Sequence, residues 1–152
     1  MSLRDRISSE LKAAMKAKEA TKLATLRLIN AAIKDREIAA RGEGGPTELT
    51  DADLVAVLTR MVKQRRDSAR AYEEAARLDL AEKELAEIEV IESFLPRQLD
   101  AEEMAQAVDA AIKELGASSV RDIGRVMGAL KTRYAGQMDF GKAGALVKAR
   151  LA

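Results

Sequence analysis

IESFLPRQLDAEEMAQAVDAAIKELG, Ile91 to Gly116, decides how the chain is divided. Proline disfavours helical geometry in the residue before it, so the helix arriving through Ile91 has to end at Pro96. Asp100 is an N-cap residue. Met104, Val108, Ala111, Ile112 and Leu115 then recur at helical spacing, and Gly116 closes the helix. The interval from Pro96 to Asp100 therefore reads as a boundary. Before it lies an N-terminal helical domain, residues 1–96, and after it a compact C-terminal three-helix bundle, residues 97–152.

Upstream of that boundary the chain reads as four helices. Ser2 caps the first, which runs to about Lys18 with Leu3, Ile7, Leu11, Ala14 and Met15 as its apolar stripe. The second spans about Thr21 to Arg41, with Leu23, Leu26, Ile29/Asn30, Ile33 and Ile38 near helical spacing. Gly42-Glu43-Gly44-Gly45-Pro46 breaks it. Thr-Asp-Ala-Asp at Thr50 resembles a capping box and opens a third helix to about Ala76. The fourth runs from about Asp79 to Phe94. Downstream, Ser119 and Asp122 form another box-like start, for a sixth helix ending near Tyr134, and Asp139 caps a seventh. No segment has strand period and no internal repeat is visible. The fold class is all-α.

Composition narrows the chemistry. Of 152 residues, 47% are hydrophobic but only 3% aromatic, so the cores must be aliphatic. There is no cysteine, which removes disulfides, thiolate nucleophiles and iron–sulfur clusters, and no histidine, the usual metal ligand and near-neutral acid–base group. The expectation is no catalytic residue, no metal and no cofactor. No apolar run reaches the ~18 residues of a membrane span, and no signal peptide is visible. Such a chain reads as a soluble cytoplasmic protein with no membrane association.

The net charge of +1 conceals strong segregation. Residues 1–41 carry ten basic and five acidic residues, net +5. Residues 42–59 are −4, residues 60–70 are +4, residues 73–114 are −9, and residues 118–152 return to +5. Blocks of this kind speak of partners.

Two basic regions are candidate phosphate-binding surfaces. In the tail, SSVRDIGRVMGALKTRYAGQMDFGKAGALVKARLA (Ser118–Ala152) places Gly124, Gly128, Gly141 and Gly144 within helices. A glycine there costs roughly 1 kcal/mol relative to alanine, so a close approach to the backbone is expected. Arg121, Gly124, Arg125 and Gly128 share one face, with Lys131, Arg133, Lys142 and Lys148 nearby. The pattern suits a polyanion backbone and, equally, tight packing against a neighbouring helix. In the third helix Lys63, Arg66 and Arg70 form a stripe that could track phosphates. A solvated face with Lys63–Asp67 and Arg70–Glu74 as i,i+4 pairs explains the same stripe. Arg65 falls on the apolar line of Leu54, Leu58, Met61/Val62, Ala69 and Tyr72, so a carboxylate of the acidic fourth helix is its expected partner. The acidic run Glu82–Glu89, with Glu92, reads as a solvated face that pairs with basic helices or repels wrong partners, and the Asp139 turn as a simple N-cap.

The strings LRLINAAIKDREI (Leu26–Ile38), VKQRRDSARAYEEA (Val62–Ala75), EIEVIESFLPRQL (Glu87–Leu99) and DIGRVMGALKTRYAGQMDFGKAGALVKARL (Asp122–Leu151) resemble the YqeY family, small proteins similar to the tail of GatB, a subunit of the tRNA-dependent amidotransferase. Ala76 departs from the family pattern, which often has glycine there. The resemblance implies an N-terminal helical domain and a C-terminal three-helix domain. It also implies a tail that helps hold tRNA while other parts of the amidotransferase convert mischarged tRNA with glutamine as amide donor. This chain has no room for that catalytic cradle. The expected role is therefore non-catalytic tRNA binding through the sugar–phosphate backbone. The alternatives are a helical adaptor receiving a partner helix on the glycine face, and an accessory, in trans, to carbon–nitrogen ligase activity.

Overall fold

The structure, a computed structural model, describes residues 2–45 and 48–152; Pro46, which ends the expected glycine-rich break, lies outside the described residues. Seven α-helices follow one another, with no strand among the described residues: α1 (Leu3–Ala17), α2 (Ala20–Gly42), α3 (Asp51–Glu74), α4 (Leu78–Glu92), α5 (Ala101–Leu115), α6 (Ile123–Arg133) and α7 (Phe140–Leu151). A short 3₁₀ turn, Val120–Asp122, precedes α6.

Helix starts are made by side chains that satisfy otherwise orphaned N–H groups. Ser2 Oγ accepts from Asp5 N at 3.1 Å at the start of α1. Thr50 and Asp53 form a reciprocal box on α3, and Asp100 and Glu103 form one on α5. Helix ends are made by left-handed residues. Gly44, Gly116, Lys18 and Ala76 all have positive φ, and each donates its N–H back three residues while its successor reaches back five. Glycine meets that conformation freely at two of the four; Ala76, at φ 57°, does not.

The chain forms two compact units, one ending at Pro96 and the other spanning Arg97–Ala152. In the first, α1 to α4 bury Ile7, Leu26, Ile29, Leu54, Leu58 and Ile91, with Phe94 closing the end of α4. In the second, α5, α6 and α7 bury Val108, Ala111, Val126, Leu130, Ala143 and Val147. At about 1.5–3 kcal/mol for each buried Leu, Ile, Val or Phe, these aliphatic clusters are the main source of stability in both units.

Two stripe assignments need correction. Ile38 is 55% exposed and Met15 53% exposed, whereas Ala40 and Ala14 are buried. Five residues separate Ile33 from Ile38, a rotation of about 140° away from the core direction at 3.6 residues per turn. Hydrophobicity outweighed phase in that reading, and small alanines fill the core positions instead. The sixth helix also opens later than expected. Arg121 sits in the 3₁₀ turn, and Val126 is fully buried together with Leu130.

Arg65 meets its expected partner. Its Nε lies 3.0 Å from Glu87 Oε2, with the two side chains only 15% and 13% exposed, and its Nη1 donates to the Met61 carbonyl. The pair ties α3 to α4, and Arg66 Nη2 to Glu92 Oε1 at 3.0 Å repeats the tie one residue on.

Candidate nucleic-acid interface

On α6, Val126 and Leu130 point inward, with Ile123 and Met127 half-buried beside them. Gly124, Arg125, Gly128, Lys131 and Thr132 therefore occupy the opposite, exposed face. A Cβ added at Gly124 or at Gly128 would meet nothing within 4 Å. Neither glycine serves packing among the described residues. On α7, burial of Ala143, Val147 and Leu151 turns Gly141, Lys142, Ala145, Lys148 and Ala149 outward in the same way. Gly144 differs: its hypothetical Cβ would lie 3.7 Å from Met127 Cε, so it belongs to the α6–α7 contact.

Ion pairing divides the basic residues of the tail. Arg125 Nη2 lies 3.1 Å from Asp122 Oδ1, Arg133 Nη1 2.6 Å from Glu114 Oε2, and Arg150 Nε 2.9 Å from Asp109 Oδ1. The last two bring tail cations onto carboxylates of α5, and the Arg133 guanidinium holds the Glu114 carboxyl below its ordinary range. The Asp122 carboxyl is lowered chiefly by the backbone N–H of Ser118, then by that of Ser119 and by Arg125. Arg121, Lys131, Lys142 and Lys148 are exposed and have no ion pair among the described residues. At the start of α7, Asp139 Oδ1 accepts from Gly141 N at 2.9 Å and Lys142 N at 3.3 Å, so those N–H groups are already used.

The stripe on α3 lies in the other compact unit. Lys63 Nζ is 3.5 Å from Asp67 Oδ2, in the i,i+4 arrangement that a solvated face predicts, and Arg66 is held by Glu92. Arg70 is exposed and unpaired among the described residues.

Two features escaped the sequence reading. Arg97 grips Glu103 with both nitrogens, at 2.9 and 2.6 Å, just where the second unit begins. That bond, followed by the backbone N–H of Asp100, lowers the Glu103 pKa to about 2. The signal was present in the Asp100-x-x-Glu103 spacing, but the arginine before it carries no periodic pattern. The second feature is a depression of about 260 Å³ on the first unit, lined by Arg6, Ser9, Glu10, Lys22, Ser93 and Phe94. Its polar groups satisfy one another, with Lys22 on Glu10 at 2.7 Å and Arg6 donating to the Ser93 carbonyl above the Phe94 ring.

Comparison with known proteins places the chain among relatives called "Altered inheritance of mitochondria protein 41, mitochondrial". That of Clavispora lusitaniae is 41% identical over 69% of this chain and 55% of its own length. That of Eremothecium gossypii is 34% identical over 72% and 58%, and that of Saccharomyces cerevisiae strain YJM789 27% identical over 80% and 66%. The chain thus spans a little over half the length of the first two. These names overturn the expectation of a cytoplasmic protein. That expectation rested on the lack of apolar runs, which bears only on membrane crossing: no described helix is long and apolar enough to cross a membrane. Residues 4–151 match the sequence model of the Yqey-like proteins, and the chain belongs to that family.

Proposed function

We propose that residues 97–152 form a domain of their own that holds a folded RNA by its sugar–phosphate backbone, with tRNA, the ligand implied by the family resemblance, as that RNA. The observation that carries this reading is the uncovered glycine face of α6. Gly124 and Gly128 weaken the helix by up to roughly 1 kcal/mol each relative to alanine, yet no contact among the described residues requires them. A polyanion lying along the face accounts for the glycines. It accounts equally for the exposed cations Arg121, Lys131, Lys142 and Lys148, which lack carboxylate partners.

Recognition on such a surface reads shape and charge rather than base identity. Tyr134 and Phe140, the aromatic residues of the unit, pack against its core and offer no stacking platform. Arg125 and Arg133 are held by carboxylates and act as supports, while Lys63 and Arg66 of α3, in the other unit, already meet Asp67 and Glu92. The role is binding. Any link to glutamine-dependent carbon–nitrogen ligase activity runs through presenting RNA to a separate enzyme.

The test is a fluorescence-anisotropy titration of the full chain with bulk tRNA over a series of salt concentrations. Four unpaired cations on phosphates give a log–log slope of roughly −3. Arg121→Ala/Lys131→Ala flattens the slope by about 2. Salt-independent binding, or no binding at low salt, refutes the reading.

A further inference from the structure

The first unit carries a second pair of surfaces that the RNA reading does not use. On α2 the residues opposite the core are Ala24, Leu28, Ala31, Asp35 and Ile38, all exposed and spaced four, three, four and three apart. That is the seam of a coiled-coil heptad, left uncovered. Arg27, Lys34 and Arg41 run beside it at intervals of seven. On α4, Leu78, Glu82, Leu85 and Glu89 are likewise exposed and spaced four, three and four apart. Of the six large hydrophobic side chains exposed among the described residues, four lie on these two faces: Leu28 at 44%, Ile38 at 55%, Leu78 at 63% and Leu85 at 48%. Arg27, Lys34, Arg41, Glu82 and Glu89 form no ion pair among the described residues.

We infer that the α2 face of one chain docks on the α4 face of a second copy. The two faces share a period. Seven residues of helix advance about 10.5 Å, so two successive cations of the α2 rail meet Glu82 and Glu89 at the same step. Leu78 and Leu85, separated by that same step, then fall on the seam, where Ala24 and Ala31 leave room for them. The charges are complementary in bulk as well as in detail: within the first unit, residues 1–41 are net +5 and residues 73–96 net −6. A partner of this chemistry is already present in the chain itself. With acids in both seams and only two large apolar side chains on each face, the contact is salt-sensitive and reversible. Related by a two-fold axis, two such contacts close a dimer; a single one leaves open ends.

The experiment is sedimentation velocity on the nuclease-treated full chain across a concentration series at low and high salt. Wild type gains mass with concentration at low salt and loses that gain at high salt. Arg27→Glu/Lys34→Glu makes both faces acidic, and Glu82→Lys/Glu89→Lys makes both basic, so each variant alone associates more than about tenfold more weakly. Mixed in equal amounts, the two variants regain a complementary partner for every face and associate again, which also shows that both are folded. Wild type that stays monomeric at low salt overturns the inference, as does a mixture no heavier than its components. A monomeric wild type whose tRNA affinity falls in Arg27→Glu/Lys34→Glu assigns the α2 face to nucleic acid instead, and overturns it too.

Discussion

Replacing Gly124 and Gly128 by alanine separates stability from binding on the same helix face. Both residues are helical, and an added methyl at either meets nothing within 4 Å, so neither substitution strains the fold. Gly128 lies in the interior of α6, where alanine gains about 1 kcal/mol. Gly124 is the second residue of α6, where fewer backbone bonds depend on propensity, so its gain is about half as large. The pair should therefore stabilise the second unit by about 1.5 kcal/mol, read as a rise of roughly 10 °C in the thermal transition of that unit. The same two methyls stand between the α6 backbone and anything lying along it. Losing even part of the contact to Arg121 and Lys131 costs the complex about 1.4 kcal/mol, a tenfold weaker Kd. Calorimetry and tRNA titration on one preparation read both effects. A more stable protein that binds tRNA as tightly as before would remove the glycine face from the interface. A less stable one would show that the face is covered after all.

Three further outcomes follow from local geometry. Ala76→Gly relieves a left-handed alanine at the end of α3; set against the extra freedom of glycine in the unfolded chain, the net gain is about 0.5–1 kcal/mol by urea unfolding. Arg65→Ala leaves the Glu87 carboxylate largely buried without its partner and destabilises the first unit by about 2 kcal/mol, while Arg65→Met with Glu87→Leu recovers most of that loss. Glu103 has a folded-state pKa of about 2 against an ordinary 4.5. Because that pKa is depressed, its contribution is complete above pH 4.5 and is lost as pH falls towards 2. Glu103→Gln should flatten the acid limb of thermal stability in that window and leave the neutral value nearly unmoved in its pH dependence.

Much of the architecture was legible in short-range signals. Ser2, Thr50, Asp100 and Asp139 start helices where their side chains accept backbone N–H bonds, and Gly116 stops one where only left-handed geometry fits. These depend on residues two to five apart, so the chain specifies them before it folds. The Ile38 error shows the limit: a hydrophobic residue near the right spacing is not a buried one, and phase decides. Likewise the candidate site could be drawn from charge and glycine placement, but its working members could not be chosen. Seven basic tail residues look alike in the sequence, whereas Arg133 and Arg150 are neutralised by α5 carboxylates 19 and 41 positions away.

The amino-acid sequence by itself determined the all-helical class, the cap and stop positions, the aliphatic character of both cores and the segregation of charge. Each of these is local or compositional. Only the tertiary structure decided which glycines are free of packing, which cations keep an unspent charge, and that Arg66 joins Arg65 as a strut between α3 and α4. Those are properties of distance between segments far apart in the chain, and helix packing alone brings such segments together.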